Sequence, residues 1–249
     1  MDTGGVPGRT SAFHWNAEVR PGLRVAFTAV GAGNLALHVG AEPDAVRGNR
    51  RRLESAMGVP GGTLRFMSQT HSDRVAVVDR TARHAPDADG MVSPDGSEPL
   101  AVLVADCVPI VLADAPVADG GTGATAVVHA GRAGVGNGIV EHAVRTLRRH
   151  GARDVAAWIG PSVCGSCYEV PGDMMEAMAR VLPDAASRTR RGTPALDLPA
   201  AVTVQLARTG ARVEPLVGSG ICCTVENPDL YSHRREPGAG RLAGLVWRT

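Results

Sequence analysis

Continuous apolar stretches at 23–30 (LRVAFTAV), 102–114 (VLVADCVPIVLAD), 124–130 (ATAVVHA), 155–160 (VAAWIG) and 241–249 (RLAGLVWRT) predict strands. Shorter strands are expected at 63–71 and 74–79, the second alternating in and out, and another near 212–217. The spacing of Val46, Leu53 and Met57 predicts a helix over 42–58, with Gly58 placed to cap its C-terminus. Further helices are expected from about 139 to 150, over 172–182 and over 197–209, and a polar, turn-rich connector at 84–99. No repeat at a solenoid period interrupts this order, and no linker shows as a composition shift. Strands and helices intermix without strict βαβ alternation, which points to one α+β domain with mixed sheets over residues 11–249, preceded by a mobile stretch at 1–10.

The run at 102–114 departs from its own pattern, because Asp106 and Cys107 stand side by side in what otherwise reads as core. Cys107 joins two histidines near strand ends, His71 after SQT and His129 at the end of AVVH. Separations of 36 (107 − 71) and 22 (129 − 107) match no zinc-finger spacing, so a structural knuckle is disfavoured. Ligands drawn from separate strands suit an enzyme-type site with one position left open, and two imidazoles with one thiolate suit zinc. The plainer reading of each residue is structural, a small buried thiol and two hydrogen-bonded histidines. A third reading makes Cys107 a nucleophile activated by His129 or His71, with Asp106 orienting the base. Neighbours in an extended strand point to opposite faces, which counts against Asp106 and Cys107 sharing one site.

Composition narrows the options. At 249 residues the chain can bury a core without covalent staples, and 44% hydrophobic against 20% charged residues excludes disorder. A net charge of +1 gives no reason to expect a nucleic-acid partner. No lysine occurs, so every fixed positive side chain is Arg and an isolated Arg is weak evidence for an anion site. No signal-like segment or membrane-length apolar run is present, so a cytoplasmic protein with no membrane partner is expected.

Five cysteines, two of them adjacent, argue against a secreted disulfide framework. Cys164 and Cys167 (CGSC) with Cys222 and Cys223 invite a four-thiolate zinc or redox reading. Adjacent cysteines do not easily face one tetrahedral ion, so free structural thiols are the default. The glycine-rich HAGRAGVGNG lies between a strand and a helix; it is no Walker loop, and reads equally as an anion-holding helix start or a tight turn.

The motifs SQTHSDRV, ADGMVS, VADCVPIVLAD, VVHAGRAGVGNGI, WIGPSVCGSCYEV, CCTVENPDLYSHRRE and GRLAG, in this order, resemble those of the laccase-domain family. Its bacterial members include polyphenol oxidase-like proteins, YfiH-like purine nucleoside phosphorylases and the peptidoglycan editing factor. The resemblance implies a four-layer α/β/β/α sandwich and a zinc ion held by His71, Cys107 and His129, which would then be both the metal and the catalytic residues. It also implies phosphorolysis of purine nucleosides such as adenosine, inosine, guanosine and 5′-methylthioadenosine to base and ribose 1-phosphate, with accompanying adenosine deamination. The partners are then a nucleoside and phosphate, with no obligate protein partner.

Asn34 and Tyr168 match family positions that line the cleft, and Arg50, Arg132 and Arg234 are the candidate phosphate contacts. HAGRAG stands where the family commonly has HAGWRG, which removes a Trp and moves the Arg one position early, and QTHS replaces QVHG. Two competitors remain: a cysteine hydrolase editing cell-wall precursors, and a copper polyphenol oxidase with Cu2+ in place of zinc. The second is the weaker, since multicopper chemistry calls for many converging histidines and the chain has 8 in all.

Overall fold

The computed structural model describes residues 11–81 and 84–249; residues 1–10, expected to be a mobile stretch, lie outside the described residues. The first elements are strands β1 (Phe13–Arg20) and β2 (Leu23–Thr28), helix α1 (Pro43–Met57), and strands β3 (Val75–Val77) and β4 (Gly90–Ser93). Strands β5 (Leu100–Val104), β6 (Val108–Ala113) and β7 (Thr125–Ala130) follow, then helices α2 (Arg132–Gly136) and α3 (Ile139–Arg149) and strand β8 (Ala156–Ile159). The remainder is α4 (Gly172–Val181), β9 (Ala186–Arg188), β10 (Pro194–Leu196), α5 (Leu198–Thr209), β11 (Arg212–Glu214) and β12 (Leu242–Arg248).

Local chemistry sets the helix ends. Pro43 opens α1, where a missing N–H costs nothing, and Gly58 closes it in the left-handed conformation, its N–H reaching Glu54 and Ser55. The Asp197 carboxylate accepts from the Ala200 N–H at 2.9 Å to cap α5, which ends at left-handed Gly210.

Two sheets stack face to face. Four strands pair antiparallel in the order β1-β2-β12-β5; six form a mixed sheet in the order β11-β8-β6-β7-β4-β3, with parallel pairs only at its edges. A two-residue period sorts the side chains. Val25, Phe27, Val102 and Val104 point at Val111, Val127 and Trp158 across the inter-sheet core. Ala26, Ala101, Leu103 and Leu245 face Leu53 and Met57 of α1 on the outer side. Val108, Ile110, Leu112 and Val128 face α3 and α5 on the other. The layers are therefore α1, four strands, six strands, and α3 with α5.

Several expectations change. The run at 102–114 is two strands in different sheets: β5 pairs with β12 and β6 with β7, and residues 105–107 carry the chain across. Asp106 takes a φ of +84° at this corner, held because its carboxylate accepts from Thr224 Oγ1 at 2.6 Å and the Arg234 N–H at 2.7 Å. Cys107 thus projects from a corner rather than from inside a strand, and the alternation argument does not apply to it. Residues 63–71 make only isolated bridges, at Arg65 and Ser68, because Gln69 uses its side-chain amide to pair with both backbone groups of Leu103. The connector at 84–99 contains β4, β1 is an added strand, and HAGRAG opens the short helix α2. No helix among the described residues is long and apolar enough to cross a membrane.

The sheets approach closely where Gly160 follows β8, since a Cβ there would overlap the Phe27 ring. Gly160→Ala is expected to destabilise the fold by about 1–3 kcal/mol through overpacking. Urea unfolding should show a lower midpoint at an unchanged m value.

Candidate metal centre

His71, Cys107 and His129 come from three separate places: the 63–74 loop, the corner between β5 and β6, and the last residues of β7. Each offers a ligand atom within 4.8 Å of the others, with the Cys107 sulfur 3.6 Å from His71 Nε2. The imidazole rings meet edge to face at 4.6 Å. His129 is buried, Cys107 half-buried and His71 exposed, so the trio runs from the core to the solvent.

Asp89 arranges the two histidines. Its carboxylate, fully buried, lies 2.7 Å from His129 Nδ1, which directs Nε2 toward Cys107 and His71. It also accepts from the backbone N–H groups of Thr70, His71 and Ser72 and from Ser72 Oγ. Those bonds hold His71 at a φ of +60°, unusual for a residue with a side chain. Gly131 completes the cradle, because a Cβ there would stand 2.6 Å from His71 Cδ2 and 3.2 Å from the Cys107 sulfur.

Burial alone would raise the Asp89 carboxyl, but the hydrogen bonds from His129 and Ser72 outweigh it and hold the group well below the usual carboxylate range. Burial likewise opposes ionisation of Cys107, yet His129 and His71 bring its thiol down to about 6. Desolvation would lower His129, but the Cys107 thiolate and the Asp89 hydrogen bond push it up to about 9. The donor set therefore favours a thiolate beside a cation. At the usual Zn–S and Zn–N lengths and a tetrahedral angle, such ligands stand about 3.5 Å apart, close to the Cys107–His71 spacing. The residues present fit a zinc ion.

The trio forms the floor of a cleft of about 740 Å³. The family model described as multi-copper polyphenol oxidoreductase laccase matches residues 24–249. The chain belongs to this laccase family. Among its relatives, a purine nucleoside phosphorylase of Mycobacterium tuberculosis is 43% identical over 220 residues, covering 86% of this chain and 84% of that protein. Another of that name, from Streptomyces coelicolor, is 44% identical over 218 residues, covering 86% and 87%. Two crystal structures share the fold: YlmD from Geobacillus stearothermophilus (TM-score 0.79, 27% identity) and a Neisseria meningitidis protein (0.78, 28%). Each match covers 95% of this chain and 99% of the other.

The rim of this laccase-family cleft includes Arg50, Tyr168 and Arg234. The Arg50 guanidinium donates to the Leu35 carbonyl at 2.9 and 2.7 Å and stacks 3.7 Å from the Phe66 ring centre. Arg234 lies 4.6 Å over the Tyr168 ring and donates to the Glu169 carbonyl. Arg132 is not among the lining residues; it opens α2, near enough to Tyr168 to act on it by charge. Asn34 is placed differently from the expectation. Its amide bonds the carbonyls of Ala36 and Val39 and the N–H groups of Ala36 and Arg241, so it builds a loop behind the wall.

Sequence reasoning missed Asp89, although ADGMVS was among the family motifs, and missed Arg241, in GRLAG. It also missed two lining histidines, His233, which sits inside the motif CCTVENPDLYSHRRE beside the candidate Arg234, and His38, which no motif marks. Among the other cysteines, the sulfurs of Cys164, Cys167 and Cys223 converge within 4.8 Å, whereas Cys222 turns toward His14 at 3.7 Å.

Asp89→Asn, which removes the partner of both histidines, is expected to weaken metal binding at this centre by about 10–100-fold, and Gly131→Ala to weaken it too, because its Cβ crowds His71 and Cys107. Chelator competition on the folded variants measures it; wild-type affinity in both would contradict the positioning described.

Proposed function

We propose that the protein is a zinc-dependent purine nucleoside phosphorylase, acting on adenosine and inosine and extending to guanosine and 5′-methylthioadenosine, with accompanying adenosine deamination. The observation that carries this reading is a His-Cys-His donor set on the floor of a cleft rimmed by Arg50, Arg234 and Arg241. The name shared by the relatives from Mycobacterium and Streptomyces supports it.

A zinc ion held by His71, Cys107 and His129 would supply Lewis acidity for activating water or polarising a substrate oxygen. The remaining work belongs to the chain. Guanidinium groups at the rim hold phosphate by charge-assisted hydrogen bonds, and Leu37, Phe66 and Tyr168 give a purine flat apolar contact. Held there, a phosphate oxygen attacks the anomeric carbon as the carbon–nitrogen bond breaks. The bond pair passes to the base, which takes up a proton, and ribose 1-phosphate remains.

One observation favours a second reading. Cys107, His129 and Asp89 stand in the order nucleophile, base and orienting acid, as in thiol hydrolases, with Asp89 in the place expected of Asp106. Copper in place of zinc is a third, carried by the family's description.

Nucleoside cleavage is expected to require phosphate, to yield ribose 1-phosphate, and to stop on metal chelation. Arg234→Ala and Arg241→Ala should each raise the KM for phosphate roughly tenfold or more, the scale of one charge-assisted hydrogen bond, with metal content unchanged. Cleavage of an amide or peptide substrate that is indifferent to phosphate and chelator, with an acyl group trapped on Cys107, would establish the hydrolase instead. Turnover that consumes oxygen would establish the oxidase.

A further inference from the structure

A second group of donors lies in the loops behind the Tyr168 wall. We propose that Cys164, Cys167 and Cys223 form a structural zinc site, with Glu226 beside them to turn in as its fourth ligand, separate from the His71–Cys107–His129 centre.

The two turns that carry these residues share one construction. In the first, the N–H groups of Cys167 and Tyr168 both donate to the Cys164 carbonyl at 3.0 Å. In the second, the N–H groups of Glu226 and Asn227 donate to the Cys223 carbonyl at 3.2 and 3.0 Å. CGSC and CTVE are thus equivalent turns, each presenting its first and fourth side chains, with a carboxylate in the second where the first has a thiol. A parallel bridge between Ser162 and Cys223 sets them side by side, the Ser162 N–H donating to Cys222 and the Thr224 N–H to Ser162. The three sulfurs then lie within 4.8 Å of one another; Glu226 stands outside that mutual group, with its Oε1 3.6 Å from the Cys167 sulfur.

Three thiols in one pocket leave one over whichever pair a disulfide joins, whereas three thiolates hold a zinc ion whose fourth position the Glu226 carboxylate reaches by turning in from beside Cys167. The electrostatics agree. Although burial opposes it, main-chain N–H groups of Cys164, Glu226 and Val225 bring the Cys223 thiol below its ordinary value. Burial and the neighbouring Cys164 and Cys223 push the Cys167 thiol up to about 12. Binding zinc would release the thiol protons and pair the negative charge with the ion and with Arg190, whose Nη2 is 2.5 Å from Glu226 Oε1. Adjacency of Cys222 and Cys223 is no obstacle, because Cys222 is not a ligand.

The site would pin the cleft wall. The first turn is flanked by Val163 and Tyr168, both lining residues, and the second carries Thr224, whose hydroxyl holds Asp106 beside Cys107. The chain then binds two zinc ions rather than the one that the His-Cys-His motif implies.

Elemental mass spectrometry of purified protein, after passage over chelating resin, should give about two zinc per chain, and about one in either Cys107→Ala or Cys167→Ser. Cobalt titration of zinc-free Cys107→Ala should still develop thiolate-to-metal charge-transfer bands that saturate near one equivalent, a readout that needs no change in the loops. In Glu226→Gln, zinc affinity by chelator competition should fall roughly tenfold or more at this site. Equal zinc in wild type and Cys167→Ser, or no charge-transfer bands in Cys107→Ala, would overturn the proposal. So would a Cys164–Cys167 disulfide in protein alkylated under denaturing conditions, and unchanged affinity in Glu226→Gln would remove Glu226 from the ligand set.

Discussion

One buried carboxylate organises the centre. A charge as fully enclosed as Asp89 is costly to desolvate, and it is tolerated because donors surround it: the His129 ring, three successive backbone N–H groups and the Ser72 hydroxyl. The same bonds fix the tautomer of one histidine and the backbone of the other, so two ligands 58 residues apart (129 − 71) share one orienting atom group. Pairing within the six-stranded sheet adds to this, since the His129 N–H donates to the Asp89 carbonyl at 2.7 Å. Donor geometry in this protein is a property of the sheet as much as of the ligands.

The elements that announced themselves in the chain were those with a physical punctuation mark. Gly58 bounded α1 within a residue, and the span read for α5 falls between the Asp197 cap and the left-handed Gly210 that the structure shows. The apolar strands were visible as strands, but not their number. Residues 102–114 sit between two packed layers on both sides of the crossing, so hydrophobicity stays high through the corner and periodicity carries no mark of it. Asp106 was the one sign, and its meaning lay in Thr224 and Arg234, more than a hundred residues away.

The site divides in the same way. His71, Cys107 and His129 were legible because soft and borderline donors are few and their motifs are shared across a family. Asp89 was not, because an acid next to glycine in a turn-rich stretch looks like any solvated loop. Among arginines, the absence of lysine removed the usual contrast, and only tertiary placement separates Arg234 and Arg241, which reach the cleft, from Arg132, which does not line it.

The strand that comes last in chain order, β12, lies inside its sheet, between β2 and β5, rather than at an edge. The β1–β2 hairpin therefore leaves the ribosome with one side of its backbone unpaired, and so does β5, until residues 242–248 arrive to bond both. Pairings that span more than 200 residues, such as Phe27 with Gly244, form slowly because the intervening loop must first be closed. During synthesis, two open strand edges are exposed together for most of the chain's length, which makes this sheet the segment where chaperone capture or misassociation competes with folding.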